Sequence, residues 1–240
     1  MLKFKIIDEI CNWIYHKNKT GFLLVMKTGG RKDFDKEAAQ WDQDPRRVGL
    51  ARDVAGAIIK AAPLNREMDA LDFGCGTGLV TLLLQPLVKT ITGLDSSRGM
   101  LDVLEEKIKA RKLPNIDTVF ADFEKDAHIY KKLSEGKKFH LLVSSMTMHH
   151  VPDTAALLGL WYELLLPGGT VCAADLDAED GSFHGDNTGV FHFGFEREKL
   201  KELMRKAGFS DLRDTTASSM LRDVEGASRE FTVFLITGRK

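Results

Sequence analysis

The chain has 240 residues, of which 43% are apolar, and it carries 34 Lys and Arg against 35 Asp and Glu. This composition is typical of a globular protein, and the net charge of −1 argues against a general nucleic-acid binder, which needs a basic face. No apolar run approaches the roughly 18 residues that cross a bilayer, and the three cysteines form no C-x-x-C pair. We therefore expect a cytoplasmic protein without nucleic-acid or membrane partners, present as a monomer or a homodimer.

Residues 1–32 are predicted to be an N-terminal extension of a single domain that spans residues 33–240. Asp8 and Glu9 interrupt the first apolar stretch and no small-residue cleavage site follows, so the pattern does not favour a signal peptide. We expect a packed or frayed terminal segment. An oligomer contact and a cover over the active site are the alternatives.

From residue 33 onward, helical and extended patterns alternate, which is typical of an α/β fold. The pair Asp44-Pro45 predicts a helix start, and apolar spacing continues that helix to Pro63. Further helices are predicted from the glycine turn through residue 84 and at residues 97–110, 153–165 and 196–207. Strands are predicted at residues 70–73, 89–94, 117–121, 139–145, 170–175, 211–217 and 230–237.

This alternation predicts a doubly wound, seven-stranded and mostly parallel sheet of the Rossmann-like type. Helices should cover both faces, and the last two strands should form an antiparallel hairpin. The run LLVSS in the fourth strand is continuously apolar before its two serines, as expected for a strand that is buried on both faces.

The segment LDFGCGTG, residues 71–78, joins the first strand to the next helix, where open α/β sheets bind their ligands. Gly74 and Gly76 can adopt torsions closed to other residues, and they leave no Cβ between the backbone and a ligand. A dinucleotide fingerprint would place its third glycine at position 79, which is Leu79 here. The carboxylate of Asp72 suits a cationic ligand better than a pyrophosphate. The turn therefore favours a positively charged nucleoside.

On these residues the chain resembles the class I S-adenosylmethionine-dependent methyltransferases, over about residues 33–240. LDFGCGTG resembles the first motif of that family, and Asp95, at the end of the second strand, resembles its acidic ribose-binding residue. The run VSSMTMHHVPD after the fourth strand is similar to that of small-molecule methyltransferases, and LLLPGGTV resembles the turn before the fifth strand. The resemblance implies S-adenosylmethionine as the cofactor.

The resemblance also implies which residues contact that cofactor. Met100 would lie beside the adenine, Asp122 and Phe123 would cap it, Ser144 would approach the methionine moiety, and Trp41 would close over the methionine end. The implied cofactor-binding residues are Trp41, Asp72, Gly74, Gly76, Gly78, Asp95, Ser96, Met100, Asp122, Phe123 and Ser144.

Several of these residues also have a purely structural interpretation. Asp95 and Asp122 could cap the turns that follow their strands, because short polar side chains commonly do so. Met100 and Trp41 could simply fill the core.

Methyl transfer from a sulfonium requires alignment and the exclusion of water, and it requires a base only when the acceptor carries a proton. His149 and His150 are the candidate catalytic residues, because imidazole accepts protons near neutral pH. A hydrogen bond to a loop is the alternative role for either ring.

The acidic loop at residues 175–184 could suggest a metal. However, metal-dependent catechol-type methyltransferases carry an aspartate after the fourth strand, where this chain has Ser144 and Ser145. No metal is therefore predicted.

We predict transfer of a methyl group to a small-molecule acceptor. A NAD-dependent oxidoreductase and a non-catalytic nucleoside-binding protein are the alternatives. The residues do not identify the acceptor, or whether its oxygen, nitrogen or carbon is methylated.

Overall fold

The computed structural model describes residues 32–123 and 125–240, so the predictions for residues 1–31 lie outside the described residues. Its strands are β1 (Asp69–Phe73), β2 (Thr90–Asp95), β3 (Ile116–Phe120), β4 (Phe139–Ser145), β5 (Leu165–Leu176), β6 (Ser210–Val224) and β7 (Ala227–Arg239). They form one seven-stranded sheet in the order β3-β2-β1-β4-β5-β7-β6. The pairs among β1 to β5 are parallel, and β7 runs antiparallel to both β5 and β6. The predicted fold class is confirmed.

Seven α-helices accompany these strands in the described part of the chain: α1 (Phe34–Glu37), α2 (Pro45–Ala61), α3 (Leu79–Leu84), α4 (Arg98–Arg111), α5 (Ala127–Glu135), α6 (Thr154–Leu164) and α7 (Arg197–Ala207). The start of α2 follows the predicted capping, since the Asp44 carboxylate accepts the backbone N–H of Arg46 at 2.9 Å. None of these helices is long and apolar enough to span a membrane.

The two largest hydrophobic clusters among the described residues lie on opposite faces of the sheet, because successive strand residues point to opposite sides. Leu142 belongs to the core that α5, α6 and α7 cover, where Trp161 is fully buried. Its neighbours Leu141 and Val143 belong to the core under α2 and α3. Helices therefore cover both faces, as predicted, and the carboxyl ends of β1, β2 and β4 are left to form a site.

Three features differ from the elements predicted along the chain. Helices α1 and α5 were not predicted. Strand β5 begins at Leu165 rather than Thr170, because Leu165 pairs with Phe139 across a register shift and draws the proline–glycine turn into the sheet. The hairpin of β6 and β7 is also longer than predicted. In the outer half of β6, Ser218 and Arg222 share a face with Met220 and Val224, so the apolar alternation typical of a strand is interrupted.

Candidate functional site

A cavity of about 350 Å³ opens at the carboxyl ends of β1, β2 and β4. Strand order reverses between β1 and β4, and open α/β sheets bind ligands at such a point. The volume lies within the roughly 300–1,000 Å³ of small-molecule sites. The cavity brings together nine of the residues predicted from the sequence: Trp41, Asp72, Gly74, Gly76, Asp95, Ser96, Met100, His149 and His150.

Four other predicted site residues do not line this cavity. Gly78 begins α3 in the left-handed conformation with a φ of 81°. The buried Ser144 hydroxyl donates to the carbonyl of Phe73 at 2.9 Å. Asp122 pairs with a lysine three residues further on, and Phe123 packs edge-on against a tyrosine of α5. The cofactor contacts proposed for these four residues stay predictions.

The glycine turn presents bare backbone to the cavity at one position. A Cβ built on Gly74 (φ 74°) would come within 2.2 Å of the Thr147 side chain, so packing requires this glycine. A Cβ on Gly76 (φ 54°) would meet nothing within 4 Å. Because Gly76 also lines the cavity, a ligand can lie directly against its peptide group. The turn therefore fits the cofactor that the sequence implies.

Asp95 ties this turn to the next helix. One carboxylate oxygen accepts the N–H of Gly76 at 2.7 Å, and the other accepts the N–H of Ser97 at 2.8 Å. A carboxylate offers about four acceptor positions, so it can hold the backbone and also accept from ligand hydroxyls. The capping role considered for Asp95 is thus compatible with the ribose-binding role.

Asp72 is a buried carboxyl group on the floor of the cavity. Its Oδ2 accepts the Thr81 hydroxyl at 2.6 Å. Burial raises the pKa of Asp72 to about 7, and the nearby charge of Asp95 adds to that effect. A cation bound in the cavity would favour the ionised form, because opposite charges attract strongly where water is excluded.

The segment before α2 is anchored on the glycine turn and on α4. The Asp35 carboxylate accepts a backbone N–H at the start of α4 at 2.8 Å, and Asp42 accepts the hydroxyl of Thr77 at 2.6 Å. The guanidinium of Arg47 stacks 3.7 Å from the Trp41 ring. These contacts hold Trp41 in the cavity wall. Asp35 and Asp42 were not predicted, because no motif spacing marks them.

His149 forms a buried pair with Asp175, which the sequence analysis did not identify. His149 Nδ1 lies 2.6 Å from Asp175 Oδ1, and the two side chains are 1% and 0% exposed. Because a carboxylate accepts, we assign the proton to Nδ1, and Nε2 then keeps its lone pair. Within the described residues Nε2 has no hydrogen-bond partner. Burial acts to raise the pKa of Asp175, but the His149 ring and the N–H of Leu176 more than offset it and hold that pKa below its ordinary value.

Two further imidazoles line the cavity beside His149. The His150 ring lies 4.1 Å from His149, and its Nδ1 is 2.8 Å from the carbonyl oxygen of Gly189. Burial lowers the pKa of His150 to about 3, so this ring is neutral at pH 7. Burial likewise lowers the pKa of His184 to about 4, and its ring lies 5.1 Å from His149. No group of three or more potential ligands in the described part of the chain could hold a metal.

Comparison with known proteins identifies the family of this chain. A family model described as a methyltransferase domain matches residues 46–213. The chain belongs to this methyltransferase family. The predicted class I S-adenosylmethionine-dependent enzyme is thereby confirmed.

Individual relatives agree with this assignment. The methyltransferase is 32% identical over 200 residues to an uncharacterised methyltransferase of Schizosaccharomyces pombe, which covers 79% of this chain and 69% of the relative. It is 31% identical over 120 residues to a demethylmenaquinone methyltransferase of Staphylococcus aureus, over 48% of this chain and only 45% of that relative.

The fold is shared with solved methyltransferases. Phosphoethanolamine N-methyltransferase 2 of Haemonchus contortus, in complex with S-adenosylmethionine, superposes with a TM-score of 0.61 at 16% identity. The match covers 88% of this chain and 60% of that one. At this level of identity the similarity concerns the fold.

Proposed function

We propose that this methyltransferase transfers the methyl group of S-adenosylmethionine to a protonated oxygen or nitrogen of a small-molecule acceptor, with His149 as the base. The observation that carries the proposal is the buried His149–Asp175 pair. Its unpartnered Nε2 belongs to a ring that lines the same cavity as the bare peptide of Gly76. An unpartnered imidazole nitrogen on a ring that lines the cavity favours catalysis over nucleoside binding alone.

The residues around the glycine turn would hold the cofactor. Its adenosyl group would lie against Gly76, and its ribose hydroxyls would donate to Asp95, which already faces the turn. Asp72 would offset positive charge from the cavity floor, and Trp41 would cover the methionine end. S-adenosylmethionine, when bound, supplies an electrophilic methyl carbon on a positively charged sulfur.

His149 would accept the proton that the acceptor loses. The acceptor's lone pair would form the new bond to the methyl carbon as the bond between that carbon and sulfur breaks, which leaves S-adenosylhomocysteine. The acceptor's proton would pass to His149 Nε2. The Asp175 carboxylate holds the ring in the required tautomer and stabilises the imidazolium that results. His150 stays neutral and would orient the acceptor by hydrogen bonding.

A small acceptor is supported by the cavity and by one relative. The cavity of about 350 Å³ suits a compact molecule, and aromatic rings line it. The Staphylococcus aureus relative is named for a small-molecule substrate. The near-zero net charge offers no general basic face for RNA.

Two measurements test the proposal. Calorimetry should show that S-adenosylmethionine binds and that NAD binds about 100-fold more weakly or not at all. Incubation with the small-molecule fraction of a cell extract should then yield S-adenosylhomocysteine. Preferential binding of NAD, or methyl label that enters only macromolecules, would contradict the proposal.

A matched pair of variants tests the base. His149→Gln should lower turnover by about 100-fold or more while the dissociation constant for S-adenosylmethionine is unchanged. The control is His128→Gln, because His128 is exposed on α5 and should tolerate the same change. Full turnover in His149→Gln would show that the base lies elsewhere.

A further inference from the structure

The described residues that line the cavity include four cations, Lys32, Arg46, Arg47 and Arg222, and the carboxylates of Asp44 and Asp186. Arg46 is engaged by Asp44 through two hydrogen bonds of 3.1 and 2.9 Å. Lys32 and Arg47 each lie 3.2 Å from the carboxylate of Glu37. These three cations thus have acidic partners within the protein.

Arg222, on β6, has no such partner among the residues that the structure describes. Within residues 32–123 and 125–240 it forms no ion pair, and its one hydrogen bond goes to the carbonyl oxygen of Phe183. Its guanidinium carbon lies 4.2 Å from the centre of the Phe183 ring. The ring and the carbonyl fix the position of a half-buried guanidinium whose fork has five donors.

The surroundings make this position favourable for an anion. Burial lowers the pKa of Arg222, and the nearby charge of Arg46 adds to this effect while that of Asp44 opposes it. A partly desolvated cation gains most from a partner that also matches its planar fork, as a carboxylate or a phosphate does.

The rest of this wall fits an apolar body attached to such an anion. Phe34 lies edge-on to Trp41 at 5.9 Å and to His150 at 5.2 Å. Together with Phe183 these rings line the cavity. A flat ring with an acidic group would contact both the aromatic side chains and Arg222.

We propose that Arg222 binds the anionic group of the methyl acceptor, so that the substrates of this enzyme are small acids with a carboxylate or a phosphate monoester. The inference rests on the proposed function, since it assigns the acceptor to the same cavity. It adds the chemical class of that acceptor and the residue that selects it.

Direct binding tests this assignment without requiring turnover. The full chain, saturated with S-adenosylhomocysteine, is titrated by calorimetry at constant ionic strength with 4-hydroxybenzoate, 4-hydroxyphenyl phosphate and the neutral 4-hydroxybenzamide. At least one anion should bind about tenfold more tightly than the amide. The tighter of the two anions distinguishes a carboxylate acceptor from a phosphate acceptor.

Variants on one strand localise the effect. Arg222→Gln should weaken binding of the preferred anion by about 10- to 100-fold. It should leave the dissociation constants of the amide and of S-adenosylhomocysteine unchanged. Arg213→Gln is the matched control, because Arg213 lies on the same strand and is exposed. It should leave all the dissociation constants unchanged.

Three outcomes would overturn the assignment: no binding by either anion, equal binding of anion and amide, or an Arg222→Gln variant that keeps the preference. The proposed function fails separately, through loss of S-adenosylmethionine binding or of methyl transfer. Anion binding that depends on Arg222 in a protein without methyl transfer would defeat the proposed function alone.

Discussion

Replacing Asp72 with Asn removes a buried carboxyl group while it keeps the size of the side chain and an acceptor for the Thr81 hydroxyl. Burial raises the pKa of Asp72 to about 7 in the folded protein, against an ordinary value of 3.8. This difference of about 3 pH units corresponds to about 4 kcal/mol at pH values above 7.

The sign follows from proton binding in the two states. Between pH 4 and 7 the folded protein holds a proton on Asp72 that the unfolded chain has lost, so stability falls as the pH rises through this window. Asp72→Asn removes that dependence. The free energy of unfolding of the variant minus that of the wild type should therefore increase by about 3 kcal/mol between pH 5 and pH 8.

Urea denaturation at pH 5 and pH 8 measures this difference. Asp117→Asn is the control, since Asp117 is an exposed carboxyl group on β3 and should show no comparable change. The ionised Asp72 carboxylate should also stabilise the bound cationic cofactor. The affinity of the wild type for S-adenosylmethionine should therefore rise with pH through about 7. The affinity of Asp72→Asn should not show this rise. A stability difference between Asp72→Asn and the wild type that does not vary with pH would refute the reasoning.

Four further substitutions test the site. Gly76→Ala should weaken S-adenosylmethionine binding about tenfold or more at a stability cost of about 1 kcal/mol, because its Cβ would enter open space at a positive φ. Gly74→Ala should instead lower the free energy of unfolding by more than about 1 kcal/mol, because its Cβ would clash with a threonine. Equal effects of the two glycine variants on S-adenosylmethionine binding would contradict this distinction. Asp175→Asn should lower kcat by about 100-fold or more with cofactor binding unchanged, because His149 loses its fixed tautomer. An unaltered kcat in steady-state kinetics would show that Asp175 has no part in the mechanism. Asp95→Ala should weaken cofactor binding by about 1–3 kcal/mol in calorimetry, and an unchanged dissociation constant would contradict its ribose contact.

Local chemistry made much of the fold predictable. The Asp44-Pro45 pair marks the start of α2, and Gly208, in the left-handed conformation with a φ of 110°, follows the last residue of α7, where glycine is favoured. The glycine turn was recognisable because its torsions and its place after β1 constrain the residues allowed there. Such signals lie within a few residues of one another.

The remaining parts of the site depend on contacts between distant segments. Asp175 meets His149 only because β5 lies beside β4, which brings together two residues that are 26 positions apart. This pair could have been predicted, because the ends of neighbouring parallel strands bring their side chains together. Arg222 reaches the cavity on the outer half of a hairpin that extends beyond the predicted strands and whose apolar alternation is interrupted. Its proposed role could be inferred only from the folded structure, which brings the residues of the cavity wall together.

A crystal structure of the full chain with S-adenosylhomocysteine tests the central claim most directly. The adenosyl group should lie against the backbone of Gly76, with a ribose hydroxyl within about 3.2 Å of an Asp95 carboxylate oxygen. The sulfur should face the part of the cavity that His149 lines. A ligand bound outside this cavity, or a ribose without contact to Asp95, would contradict the account.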